Sequence, residues 1–96
     1  MRMSLASGLV AVSLATAQAA SVEPPAGASS CTGCHPANAS VETPVPPLAG
    51  RNAADIVAAM EAFRSGQKPA TVMDRIAKGF AVEEIQAIAA WYAAQR

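Results

Sequence analysis

The residues at positions 31–35 read Cys-Thr-Gly-Cys-His, and this short run constrains the fold more than any other feature of the 96-residue chain. In one turn of helix the two cysteines are neighbours at i and i+3, and the histidine follows directly beneath them. This spacing is typical of the covalent attachment of a haem, in which the histidine ligates the iron. We therefore expect Cys31 and Cys34 to tether one c-type haem and His35 to be an axial ligand.

Other uses of the same side chains stay open at this point, although each fits less well. A structural zinc site needs four nitrogen or sulfur donors, and the chain has two cysteines and one histidine. A thioredoxin-like redox pair expects a βαβ context, and no β-branched run indicates a buried strand. A disulfide between the two cysteines would give the adjacent histidine no role. A non-haem module of any of these kinds predicts a colourless protein.

The first 20 residues have the pattern of an export signal. Arg2 is followed by an apolar, small-residue stretch and then by Ala17-Gln18-Ala19. We predict that residues 1–20 are a signal peptide, removed on export to the periplasm, and that residues 21–96 are one cytochrome c domain. An uncleaved anchor is the alternative, but polar residues dilute the stretch. No second long apolar run follows, so we expect no membrane span in the mature protein.

Size and charge narrow the range of functions further. Removal of the first 20 of the 96 residues would leave 76, which is few for a hydrophobic core to stabilise alone. A covalently held haem would supply apolar faces against which short helices can pack. Loss of Arg2 would leave six basic and seven acidic residues, so we expect no nucleic-acid partner.

Periodicity and capping signals predict an all-α domain of three to four short helices wrapped around one haem. Proline and glycine interrupt positions 36–50, which we expect to form a loop that wraps a ligand. The segment from Ala70 to Met73 is predicted to be extended or a turn. The predicted helices are one turn leading into Cys31, a helix from the N-cap Asn52 to the stop at Gly66, a short piece Asp74–Lys78 and a last helix Val82–Gln95. The inward positions of the last helix are predicted to be Val82, Ile85, Ile88, Ala89 and Tyr92.

An iron held by one histidine needs a ligand on its other face. The available donors are two methionines, Met60 and Met73, or Lys68 and Lys78 if deprotonated. Met60 lies on the apolar stripe of a predicted helix, where methionine usually fills the core. Met73 follows a proline in a predicted loop, so we expect Met73 to be the ligand and keep Met60 as the alternative. With both axial positions filled, the iron would transfer electrons at a high potential and bind no small substrate.

These motifs together resemble those of class I cytochromes c. The resemblance covers residues 21–96 and rests on the run 31–35, on Pro46-Pro47-Leu48-Ala49-Gly50, on Met73 and on a terminal helix with aromatic residues. It implies the small all-α class I fold around one haem. It also implies that the carbonyl of Pro46 accepts a hydrogen bond from the second ring nitrogen of His35, which fixes the tautomer of the ligand.

A narrower resemblance concerns the run from Phe63 to Gly79 and the Glu83-Glu84-Ile85 that follows. This part is similar to the small monohaem subunit of flavocytochrome c sulfide dehydrogenases. The resemblance implies an electron-accepting subunit without its own substrate site, paired as a heterodimer with a sulfide-oxidising subunit that carries FAD, and a downstream electron acceptor. The alternative is a free, diffusible periplasmic cytochrome c that carries electrons to an oxidase or another membrane complex.

Some surface features also lead to expectations. Pro24 and Pro25 leave little room for an N-terminal helix, so Trp91 is either exposed at an interface or folded back into the core. Ala81 precedes the last helix in place of the usual Ser, Thr or Asp cap. Arg51 could pair with a haem propionate. Four basic residues around Met73 either steer an acidic partner or form a solvated face. They are Arg64, Lys68, Arg75 and Lys78.

Overall fold

The computed structural model describes residues 23–95, together with Gly8 and Ala11, so the predicted signal peptide otherwise lies outside the described residues. Within this part the chain forms helices and no strands, which confirms the all-α prediction. The elements are α1 (Ser29–Thr32), α2 (Ala53–Arg64), α3 (Met73–Ala77) and α4 (Val82–Ala93). None of these helices has both the length and the apolar character that a membrane crossing requires.

The ends of α2 follow the signals in the sequence. The Oδ1 atom of Asn52 accepts hydrogen bonds from the backbone N–H groups of Ala54 at 2.9 Å and Asp55 at 3.4 Å. Two donors of the first turn, which have no partner inside the helix, are thereby satisfied. The helix ends at Arg64, and Gly66 follows with a φ of 76°, a left-handed conformation that glycine adopts at no steric cost. Both predicted ends of α2 are confirmed.

The start of α4 is capped by a glutamate instead of a hydroxyl or an aspartate. Oε1 of Glu84 accepts a hydrogen bond of 2.9 Å from the backbone N–H of Ala81, the residue before the helix. The helix ends at Ala93, two residues before the predicted end at Gln95. Val82, predicted to face inward, is 41% exposed, because at the first position of the helix the apolar stripe has already reached the surface.

The described core lies between the N-terminal segment, α2 and α4. Its buried members are Ala28, Ile56, Ile88, Ala89, Trp91 and Tyr92. Trp91 is 8% exposed, so the hypothesis of an exposed interface tryptophan is wrong. Ala28, from the short N-terminal segment, belongs to the same cluster as the tryptophan. The brief N-terminal turn thus takes part in covering the last helix, although no long helix precedes it.

A glycine sets the approach of the N-terminal turn to the rest of the domain. Gly27 has a φ of 88°, and a Cβ atom built there would lie 2.7 Å from Cε1 of Phe80. Such a distance is shorter than a carbon–carbon contact allows, and the conformation itself is strained for other residues. Position 27 therefore requires glycine for two reasons, the backbone angle and the aromatic ring packed against it.

Helix α3 begins one residue earlier than predicted. The carbonyl of Val72 accepts hydrogen bonds from the N–H groups of Arg75 at 3.0 Å and Ile76 at 3.1 Å, which brings Met73 into the first turn. The prediction that Met73 lies in an extended or turn segment was therefore wrong, and the end at Ala77 precedes the predicted Lys78 by one residue. Helix α2 packs against both α3 and α4.

Candidate haem-binding site

The two cysteines lie on one continuous turn. Cys31 is in α1, and its carbonyl accepts hydrogen bonds from the N–H groups of Cys34 at 3.1 Å and of His35 at 2.7 Å. These bonds carry the helical path through Gly33, so the two thiols and the imidazole are presented by a single local structure. Both cysteines are free thiols. Burial raises the pKa of the Cys31 thiol, whereas Cys34 is exposed.

The ring of His35 is fixed by the proline-containing loop. Its Nδ1 atom lies 2.7 Å from the carbonyl oxygen of Pro46, eleven residues further along the chain. A carbonyl oxygen can only accept, so Nδ1 donates and carries the proton. The other ring nitrogen, Nε2, is then left with the lone pair that a metal requires. The contact that the resemblance implied between these two residues is thus present in the structure.

A second hydrogen bond holds the backbone of the same histidine. The hydroxyl of Tyr92, on α4, donates to the carbonyl oxygen of His35 at 2.6 Å. Tyr92 is completely buried, and burial, with a smaller contribution from the nearby Cys31, raises the pKa of its hydroxyl to about 12. The periodicity of α4 predicts an inward Tyr92 but not this bond; the only hint in the sequence is that a buried tyrosine hydroxyl usually finds an acceptor.

A cavity of about 370 Å³ opens beside the histidine. It brings together all five residues that we singled out from the sequence, since Cys31, Cys34, His35, Pro46 and Met73 all line it. This volume is within the range of small-molecule and cofactor sites. The remaining wall is mostly aliphatic and comes from α2, α3, α4 and the loop before α2, through Ile56, Ile76, Ile85, Ile88 and Leu48.

The other candidate ligands divide into two groups. Met60 and Lys68 line the same cavity as Met73, whereas Lys78 does not. The apolar stripe predicted on α2 faces this space, because Ile56 and Phe63 line it together with Met60. Both methionine side chains therefore border the cavity, one from the middle of α2 and one from the first turn of α3.

The residues of this cavity fit a haem. Its walls are apolar enough to pack against a flat macrocycle, and the thiols lie on the same turn as the imidazole. Imidazole and thioether are donors that haem iron accepts in electron-transfer proteins. Among the described residues, no group of three or more His, Cys, Asp and Glu side chains is close enough to hold a metal ion.

The predicted basic residues are arranged unevenly around this site. Arg64 pairs with Glu61 at 3.3 Å on the surface of α2, and the ammonium of Lys68 lies 5.2 Å from the ring centre of Phe63. Arg75 and Lys78 are exposed on and just after α3. Of these four, Lys68 alone lines the cavity.

Comparison with known proteins places the chain near cytochromes. No protein-family model matches it. It is 36% identical over 63 residues to the cytochrome subunit of sulfide dehydrogenase from Chlorobaculum tepidum, a match that covers 66% of this chain and 57% of that protein. It is 37% identical over 67 residues to the thiosulfate dehydrogenase electron acceptor of Stutzerimonas stutzeri, covering 66% of this chain and 31% of that protein.

The chain thus spans between about a third and rather more than half of the length of these curated relatives. Both relatives are named for a cytochrome or an electron acceptor that serves a dehydrogenase. The predicted resemblance to cytochromes is therefore confirmed.

Proposed function

We propose that this protein is an electron-transfer subunit that carries one covalently bound c-type haem and accepts electrons from a dehydrogenase of inorganic sulfur compounds. The observation that carries the proposal is the cavity itself, in which two free thiols and an imidazole presented by one turn face an apolar wall with methionine side chains. The names of the two relatives support the same role.

Three residues of the pentapeptide have a role in this proposal. Cys31 and Cys34 bind the haem through thioether bonds, and Nε2 of His35 is the proximal ligand. A haem held in this way supplies one-electron redox chemistry. The carbonyl oxygen of Pro46, 2.7 Å from Nδ1 of His35, keeps the proton on that nitrogen. This bond orients the ring and strengthens it as a ligand.

The surrounding side chains exclude water from the site. Aliphatic residues of α2 and α4, including Ile56, Ile85 and Ile88, form a wall that lowers the local dielectric constant. We keep Met73 as the proposed second axial ligand and Met60 as the alternative; both line the cavity. With this ligand set the protein has no substrate site of its own and acts only by passing electrons.

We further propose the setting in which the subunit works. The export signal predicted in residues 1–20 would bring it to the periplasm, where thioether-linked haem is compatible with the compartment. Its partner would be a flavoprotein subunit that carries FAD and oxidises sulfide, in a heterodimer. The names of the relatives favour this arrangement over a freely diffusing carrier, since both name a dehydrogenase as the electron source.

The first experiment measures the mass and the visible spectrum of the exported protein. We expect the mass of residues 21–96 plus one haem and the absorption bands of a reduced c-type cytochrome after dithionite is added. A colourless protein, or one whose two cysteines are joined to each other, would contradict the proposal. Cys31→Ser combined with Cys34→Ser is the matched control and should lack the added mass.

The second experiment tests the partner separately. The haem-loaded subunit is mixed with a purified FAD-containing sulfide dehydrogenase subunit, and sulfide or thiosulfate is added. We expect a stable one-to-one complex and reduction of the haem by sulfide. Reduction by thiosulfate alone would change the assigned electron source. A haem protein that neither binds the flavoprotein nor accepts its electrons would refute the complex and leave the diffusible carrier.

A further inference from the structure

We propose that Tyr92 is a positioning residue that holds His35 against Pro46 and thereby sets the reduction potential of the bound haem. This inference rests on the electron-transfer function proposed above. The residue lies on α4, 57 positions from the histidine whose backbone it contacts. It goes beyond packing, because the contact is made by the hydroxyl group and ends on a single carbonyl oxygen.

Tyr92 contacts both segments that build the histidine site. Its hydroxyl donates to the carbonyl of His35 at 2.6 Å, and its own backbone carbonyl accepts a hydrogen bond of 2.9 Å from the N–H of Gly50. Gly50 ends the same loop segment that contains Pro46. One residue of α4 therefore fixes the pentapeptide on one side and the proline loop on the other.

The loop comes close to the residues that follow α4 at Gly50. Gly50 has a φ of 77°, and a Cβ atom there would lie 3.3 Å from the carbonyl oxygen of Gln95. The N–H of Arg51 donates to the carbonyl of Leu48 at 3.0 Å, which closes the turn that follows the two prolines. A short, hydrogen-bonded turn therefore connects the Pro46 carbonyl to the end of α4 and restricts its position.

The hydroxyl of Tyr92 has no access to water. The side chain is completely buried, and its ring meets that of Trp91 edge to face with centroids 4.9 Å apart. A buried donor without an acceptor is destabilising, so the bond to His35 is expected to be maintained in the folded protein. Phenylalanine would fill the same space and would remove this bond alone.

The consequence concerns the strength of the bond between His35 and Pro46. Besides the bond from its backbone N–H to Cys31 within the same turn, two contacts from other parts of the chain hold the histidine, one at its backbone carbonyl and one at its ring. Without the first, the backbone at position 35 is freer to shift, and the 2.7 Å bond at Nδ1 lengthens. A weaker bond at Nδ1 makes the imidazole a poorer donor and disfavours the oxidised iron, so the reduction potential rises.

The test compares Tyr92→Phe with wild type as the haem-loaded, exported protein. We expect a positive shift of the midpoint potential and exchange of the His35 Nδ1 proton with solvent about five- to tenfold faster by NMR. Ala89→Gly is the matched control, since Ala89 is buried on the same helix and does not line the cavity. It should lower stability and leave both readouts unchanged.

The outcomes separate this inference from the function on which it rests. A haem-loaded Tyr92→Phe with the potential and exchange rate of wild type overturns the inference alone, as does an equal shift in Ala89→Gly. Wild-type protein without haem overturns both. Tyr92 is the one tyrosine of the chain, so its hydroxyl proton gives a unique NMR signal; rapid exchange of that proton in wild type also overturns the inference, even if the variant fails to fold.

Discussion

His35 is held at three of its atoms by three different parts of the chain. Its backbone N–H donates to Cys31, its carbonyl accepts from Tyr92, and its ring donates to Pro46, with distances of 2.7, 2.6 and 2.7 Å. The first two contacts fix the backbone on either side of the residue, and the third restricts the rotation of its ring. The orientation of the imidazole is therefore determined by the protein.

The choice between the two methionines can be tested by single substitutions. Met73→Ala should abolish the weak charge-transfer absorption between sulfur and ferric iron, because it removes the thioether that we assign as the ligand. Met60→Ala is the matched control, since Met60 borders the same cavity from α2. Met60→Ala should retain the absorption band and lose only the packing contacts of the methionine side chain. If the band disappears in Met60→Ala and persists in Met73→Ala, the two roles must be exchanged.

The raised pKa of Tyr92 predicts a loss of stability at high pH. The folded protein holds the hydroxyl proton to about pH 12, whereas a tyrosine in the unfolded chain loses it near pH 10. The stabilisation is complete below pH 10 and decreases as the pH rises toward 12, by at most about 1.4 kcal/mol per pH unit. Urea unfolding between pH 9 and about 12 measures this slope.

Tyr92→Phe is the control for the alkaline transition. It keeps every lysine and arginine of the protein, so the titration of those groups contributes equally to both proteins. The difference in unfolding free energy between wild type and variant should shrink as the pH rises above 10. If the difference in unfolding free energy stays constant across this range, the raised pKa of Tyr92 is contradicted.

At the scale of single elements, local signals in the sequence predict the helix ends well where a side chain makes the cap. Asn52 and Gly66 mark the two ends of α2 because an amide oxygen and a left-handed glycine act on residues within four positions. The end of α4 was placed two residues too late, since no glycine or proline follows Ala93 to mark it. Met73 was misplaced because the first turn of α3 carries no cap signal.

The cap of α2 gives a quantitative prediction. Asn52→Ala removes the acceptor for the N–H groups of Ala54 and Asp55 and should cost about 1 kcal/mol of unfolding free energy. Asn52→Asp keeps an acceptor at the same position and should be close to wild type. Chemical unfolding of the haem-loaded proteins measures both. An equal loss in the two variants would show that the amide, and not its oxygen, is what matters.

At the scale of the whole molecule, the sequence predicted the residues that line the candidate site, and the resemblance implied the bond between His35 and Pro46, but neither indicated the contacts made by Tyr92 and Gly27. The pentapeptide, the proline loop and the methionines are short motifs that can be recognised locally. The bond between Tyr92 and His35 spans 57 positions, and the contact of Gly27 with Phe80 spans a similar distance along the chain. Helical periodicity shows which face is buried but not the partner it meets, and this limit also explains why the exposure of Trp91 stayed open.

The core can be tested at two positions of α4 on the same stripe. Ile85 is completely buried and lines the cavity, whereas Val82 is 41% exposed. Ile85→Ala should cost about 2–5 kcal/mol of unfolding free energy, because it removes packed methyl groups and leaves a void. Val82→Ala should change it by no more than about 0.5 kcal/mol. Similar losses in both variants would mean that Val82 is covered in solution.

The stability of the whole domain should depend on the covalently attached haem that we propose. Its described residues include eight buried apolar ones, the six of the core cluster together with Ala77 and Ile85, and three of the eight are alanine; the cavity has a volume of about 370 Å³. Such a core is too small to offset chain entropy unless the cavity is filled. Cys31→Ser with Cys34→Ser should therefore give a chain with little helical circular dichroism and rapid proteolysis. A stable, helical double variant without haem would contradict this expectation.

Gly27 limits how the beginning of the domain could be redesigned. Exchanging Pro24 and Pro25 for strong helix formers would not lengthen α1 backward beyond Ala28, because Gly27, two residues before the helix, is in a left-handed conformation. Any side chain added at position 27 in the present conformation would lie too close to the ring of Phe80. A longer leading helix must therefore be grafted together with a smaller residue at position 80.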